Sequence, residues 1–112
     1  EQFGTDRIAG PIFADSIVQA DPNAPPTVPI LAGFAAIEAE LLLRVRETPP
    51  RGLTIADAPD FVDAVCFGLE VASSPFPGIN DFGPTVTVSD FGNNFGLVLG
   101  SALADWRSRD LL

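Results

Sequence analysis

The sequence predicts a mainly α fold, a small bundle of three to four helices with long Pro/Gly-rich loops and one short strand. Three observations carry this expectation. Apolar residues in the long segments recur at steps of three and four, the spacing of one helical face. Prolines and glycines cluster between those segments, as in APPTVP and TPPRG. The last segment carries small residues at Gly92, Gly96, Gly100 and Ala104, a four-residue repeat that suits close packing of one helix on another.

Taken in order, residues 1–10 read as a flexible arm, anchored by Phe3 and Ile8, on a single helical domain spanning residues 1–112. Gly10-Pro11 breaks the chain. PIFADSIVQA then offers a short helical stripe at Ile12, Phe13, Ile17 and Ala20, with a buried strand as the alternative. The connector DPNAPPTVP is stiffened by its prolines. The central helix is expected from Val28 to Glu47, capped by Thr27 or Val28, with Pro29 in its first turn. Its main stripe is Ile30, Phe34, Ile37, Leu41 and Val45, while Leu31, Leu42 and Leu43 lie off that line. Glu40 and Arg44 form an i,i+4 pair on this helix.

A third helix is expected from Asp57, an acidic cap followed by Pro59, to about Ser73. Its face is Ala58, Phe61, Val62, Val65, Leu69 and Ala72, and Phe67 and Val71 stand away from it. The alternation Thr85-Val86-Thr87-Val88 predicts the one strand. The last helix should run from Asn93 or Asn94 to about Asp110, with Arg107 and Arg109 at its negative end.

Composition then removes whole classes of chemistry. The 112 residues carry 15 acids against 6 bases, a net charge of −9, and every base is arginine. Such a chain repels a phosphate backbone and an anionic lipid surface, so neither nucleic acid nor membrane is expected as partner. Glu38 and Glu40 interrupt the best apolar run before it reaches bilayer length. With no histidine, Ser-His-Asp and Cys-His catalysis and His-ligated metals are out. With no lysine, Schiff-base chemistry and the P-loop are out as well. Cys66, the single cysteine, has no internal disulfide partner, and acidic neighbours disfavour its thiolate. No enzymatic activity and no cofactor are expected.

Two kinds of site remain. Asp81, Asp90, Asn93 and Asn94 form a weak set of oxygen ligands for Ca²⁺, without the spacing of an EF-hand. The twin Asp-Phe-Gly tripeptides around the strand read as turn punctuation. The second site is an interface. Two helices apolar on more than one side cannot both be covered by so short a chain, which places Leu42, Leu43, Phe67 and Val71 at an exposed patch. Gly96 and Gly100 offer a thin surface for close backbone approach, within the chain or between chains.

The sequence thus reads as a non-catalytic interaction module, either a small accessory subunit of a larger enzyme or a self-assembling unit. Methionine, tyrosine, histidine and lysine are all absent. Codon bias toward arginine explains this simply; resistance to oxidation explains it more sharply, and makes a secreted laccase-like oxidoreductase the first partner to test. The chain opens on Glu1 and not Met, the basis for expecting a secreted or otherwise processed protein, with a cytoplasmic one as the alternative. The competing functional readings are a small ligand- or Ca²⁺-binding protein with a phenylalanine-lined cavity, and a virion or assembly component.

Overall fold

Strand alternation, and not helical spacing, governs the long apolar stretches. In the computed structural model, which describes residues 9–110, the chain forms one four-stranded mixed sheet and no helical bundle. The strands are β1 (Ile17–Gln19), β2 (Phe34–Val45), β3 (Val62–Ser74) and β4 (Asn94–Ala102), in the order β1-β4-β3-β2. β2 and β4 both run antiparallel to β3, and β1 runs parallel to β4. Among the described residues two short helices accompany the sheet, α1 (Ala58–Phe61) and α2 (Pro84–Ser89), with single 3-10 turns at Ala14–Ser16, Phe91–Asn93 and Trp106–Ser108.

Each predicted helix is therefore corrected. The central one is β2, an edge strand about 40 Å long at the rise of an extended chain. Its sequence from Ile37 to Arg44 also satisfies a period of two. Ile37, Ala39, Leu41 and Leu43 alternate with Glu38, Glu40, Leu42 and Arg44. Extended backbone separates Glu40 from Arg44, and Arg44 instead pairs across the strands with Asp63, Nε to Oδ1 at 2.7 Å. The third helix does start at Asp57 but lasts one turn. The Asp57 carboxylate accepts from the backbone and hydroxyl of Thr54 and caps no helical N–H. β3 follows at once, and its valines and Phe67 suit a pleated strand.

The expected last helix is β4 followed by a loop. Arg107 lies in the short 3-10 turn Trp106–Ser108 and not at the end of an α-helix. Its guanidinium stacks on the Trp106 ring, 4.2 Å from the centroid, and donates to the carbonyl oxygen of Val62 at 2.7 Å. That bond ties the C-terminal segment to the start of β3. The four-residue glycine repeat serves the sheet: a methyl group at Gly96 would lie 2.9 Å from the carbonyl oxygen of Ser16, and one at Gly100 would lie 2.7 Å from that of Phe67. Conversely, the predicted strand Thr85–Val88 lies within α2, where Pro84 takes the first turn and Thr87 Oγ1 turns back on the carbonyl of Gly83. The stretch at residues 11–20 resolves into a 3-10 turn and β1, so the alternative holds for Ile17–Gln19 as a strand but not as a buried one. Residues 1–8 of the expected arm lie outside the described residues.

The core is small. Among the described residues the buried apolar side chains are Val62, Val65, Val71, Ala72, Ile79 and Val98, six against fifteen large apolar side chains left exposed. Folded domains bury an apolar sheet face under a second layer. Here loops and one-turn helices supply only part of that layer. Among the described residues no helix is long and apolar enough to cross a membrane.

Candidate functional site

Register decides which side chains share a face. Opposite residues on paired strands project to the same side, so the pairs Ile37–Val71, Ala39–Leu69, Leu41–Phe67 and Leu43–Val65 form one face of the β2–β3 ribbon. β4 and β1 extend it with Gly96 beside Val71, and with Val98 and Val18 beyond Leu69. No charged residue occurs in these rows. At the two ends of the β3 stripe, Val65 and Val71 are buried, but between them Phe67 is 57% and Leu69 41% exposed. On the edge strand Ile37, Leu41 and Leu43 are 56%, 42% and 61% exposed. Five large apolar side chains therefore stand side by side in water. A shallow cleft of about 570 Å³ lies against this face, with Leu41, Phe67 and Leu103 along it and Glu40, Arg109 and Asp110 at its margin.

The outer edge of β2 borders this face. β2 has no strand partner beyond it among the described residues, so half of its backbone N–H and C=O groups point outward. β2 contains no proline, and its one irregularity is the register shift at Arg44/Val45. The opposite edge, β1, is three residues long and offers little.

The reverse face is acidic where the first is apolar. Glu38 stands opposite Glu70, and Glu40 follows Glu38 on the same side of β2. One carboxylate oxygen from each lies within 4.8 Å of the others. Glu70 Oε1 accepts from the Asn94 amide at 2.9 Å. Nearby, the Arg44 guanidinium donates two hydrogen bonds to Asp63. These bonds hold the Asp63 carboxyl below its usual range and raise Arg44 further. The hydroxyl and backbone of Thr54 likewise lower Asp57.

The structure separates the residues singled out from sequence. Phe67 and Leu43 lie on the open apolar face, whereas Leu42 points to the reverse face and rests half-buried over Gly68. Val71, 1% exposed, is covered by its own chain and takes no part in an open patch. Gly96 is buried and Gly100 half-buried, and both serve contacts within the chain. Of the Ca²⁺ set, Asp81 precedes α2 and Asp90 follows it, and the Asn93 and Asn94 amides donate to Asn80 and Glu70. Asp81 and Asp90 belong to no cluster of three acidic or thiol ligands among the described residues; Glu38, Glu40 and Glu70 do. Sequence reasoning set Ile37, Leu41 and Leu69 on the main faces of expected helices and passed over the glutamate trio, all legible in a period of two. Compared with protein-family profiles, with curated proteins and with solved structures, the chain finds no match.

Proposed function

We propose that this chain is a non-catalytic protein-interaction module that docks a larger protein on the open face of its sheet. The observation that carries the reading is the row of Ile37, Leu41, Leu43, Phe67 and Leu69, in register, uncharged and exposed. At about half of roughly 200 Å² per large side chain, the patch is on the order of 500 Å², large for a monomer. Burying it gives on the order of 10 kcal/mol of gross transfer free energy, comparable with the cost of association. Charge selects the kind of partner. The chain carries −9, and Glu38 and Glu40 line the edge strand, so a second copy meets like charge while an apolar surface with a basic rim meets its complement. The choice of an oxidoreductase as that partner rests on composition alone.

The test is reconstitution with the protein that co-purifies from the native source, followed by sedimentation of the mixture. Phe67→Glu and Leu41→Glu are expected to abolish the complex. Ile55→Glu, at an isolated exposed side chain away from the sheet, should leave it intact. Complex formation should slow as salt rises. A complex that survives both face variants refutes the reading. A free chain that dimerises tightly through this face, at low salt as at high, makes the occupant a second copy and refutes the charge argument.

A further inference from the structure

The side chains that flank the open edge of β2 differ between its two faces. From Ile37 to Leu41 every residue is exposed. Ile37, Ala39, Leu41 and Leu43 border the apolar face, while Glu38 and Glu40 border the reverse face. Among the described residues neither glutamate pairs with an arginine of its own strand or of the loop that follows. Arg44 is engaged by Asp63, and Arg46 by Glu47. The regular edge stops at the register shift between Arg44 and Val45. The window Ile37–Leu43 therefore offers outward N–H and C=O groups at every second residue, with an apolar row on one side and two carboxylates on the other.

A partner seated on Ile37, Leu41 and Leu43 also displaces water from the border of β2. The outward N–H and C=O groups there then need partners. A helix has few to give, because its main chain is bonded internally. An extended segment laid along β2 satisfies these groups in one continuous ladder. Its side chains must alternate as those of β2 do, since directly opposite residues project to the same face. Residues opposite Ile37, Ala39 and Leu41 are then apolar, and those opposite Glu38 and Glu40 are basic. A second copy of β2 fails the second half of this pattern: antiparallel and centred on Ala39, it sets Glu38 against Glu40.

We propose that the β2 edge binds an extended segment of the partner protein in which lysine or arginine alternates with apolar residues, added as an outer strand beside Ile37–Leu43. The inference rests on the docking reading above and gives it the chemical class of the segment that docks. Main-chain bonds along the window supply affinity. Basic side chains against Glu38 and Glu40 supply selectivity, and the apolar ones extend the row of Ile37 and Leu41 outward.

The experiment uses the full chain and synthetic peptides, read by backbone NMR. The palindrome acetyl-Thr-Val-Lys-Val-Lys-Val-Thr-amide fits the window in either strand direction. It should bind about tenfold or more tightly than its counterpart with glutamate for lysine, and than the shuffled Thr-Lys-Lys-Val-Val-Val-Thr. Amide exchange should slow at every second residue between Ile37 and Leu43, where the outward N–H groups of the free chain meet water. N-methylation gives the sharper readout. Lysine and valine amides of this peptide point to opposite edges of a strand, so methylating one set should abolish binding and methylating the other should leave it nearly unchanged. Glu38→Lys combined with Glu40→Lys should reverse the order of the lysine and glutamate peptides. No binding of the lysine peptide, the same result for both methylated forms, or slowed exchange elsewhere would each overturn strand addition. If the peptides fail while Phe67→Glu still abolishes the native complex, the docking reading stands and strand addition falls. If one-sided methylation holds while Phe67→Glu leaves that complex intact, strand addition stands and the open face is not the docking surface. Because the peptide series needs no variant, it decides the matter even if the double variant fails to fold.

Discussion

Replacing Gly100 by alanine sets a methyl group 2.7 Å from the backbone oxygen of Phe67, closer than real Cβ atoms approach such an atom. That oxygen belongs to β3, the central partner of both β2 and β4, so it cannot move without disturbing two ladders. Overpacking of this kind costs ~1–3 kcal/mol. Alanine recovers ~0.5–1 kcal/mol of the entropy that glycine loses in a strand. The net result is a destabilisation of up to about 2.5 kcal/mol with a midpoint near ~1 kcal/mol, or roughly 5 °C in Tm for a chain of this size. On a helix the same substitution would act in the opposite direction, adding ~1 kcal/mol through propensity alone. Thermal and urea unfolding followed by circular dichroism reads the sign directly. Ser101→Ala, at the exposed neighbouring position, is the control and should stay within about ±0.5 kcal/mol. A Tm that rises on Gly100→Ala would refute the strand assignment and the close approach together.

Glu38→Gln removes one of three mutually repelling carboxylates and should raise stability by ~0.2–1 kcal/mol in urea unfolding; a loss would mean the trio holds a stabilising cation. Arg107→Ala strips a charged donor from the Val62 carbonyl and should cost ~1.5–3 kcal/mol, with faster amide exchange confined to α1 and the start of β3. Asp57 and Asp63 both have depressed pKa values, so their contribution is complete above the ordinary carboxylate pKa of 3.8 and is lost as pH falls through the lower folded values. Asp63→Asn should therefore flatten the acid limb of the stability curve below about pH 4. An unchanged acid limb would show that the Arg44 pair contributes nothing measurable.

How much of this was legible in the sequence differs from element to element. The stretch from Ile37 to Arg44 satisfies two periods at once, because Ile30, Phe34, Ile37, Leu41 and Val45 also step by three and four. That stretch is also rich in good helix formers, alanine, leucine and glutamate, so local propensity agrees with the helical spacing. What overrode that propensity is pairing with β3, a stretch whose three valines, one phenylalanine and mid-segment glycine disfavour a helix. A partner distant in sequence is invisible to any local window. Gly96 and Gly100 did carry a readable message, close backbone approach, but the approaching backbones are a turn and a strand. Thr85–Val88 failed in the opposite sense. Four alternating residues are too few to fix a strand, and Gly83-Pro84 just before them is a helix start. The breaks at Pro/Gly clusters were legible, but those at Phe61/Val62 and after Ala102 carry no such cluster and fell inside expected helices. The open face was legible in part: Phe67 and Leu43 follow from an excess of apolar surface over what the chain can cover. Leu42 and Val71 did not, because their placement depends on register.

The two faces of the sheet explain one another. A long edge strand beside an exposed apolar face is a liability, since any similar strand can add to it. This chain has neither a proline nor a central bulge on β2 to prevent that. What it has is charge, with Glu38 and Glu40 on the edge strand and Glu70 beside them. A second copy added antiparallel to β2 would bring two more glutamates into that trio. Under the proposed function, like charge at that edge would oppose the addition of a second copy. A partner that brings arginine or lysine to that edge removes the repulsion and gains the apolar face in one step. The acidic edge would thus, under the proposed function, favour a basic partner over a second copy.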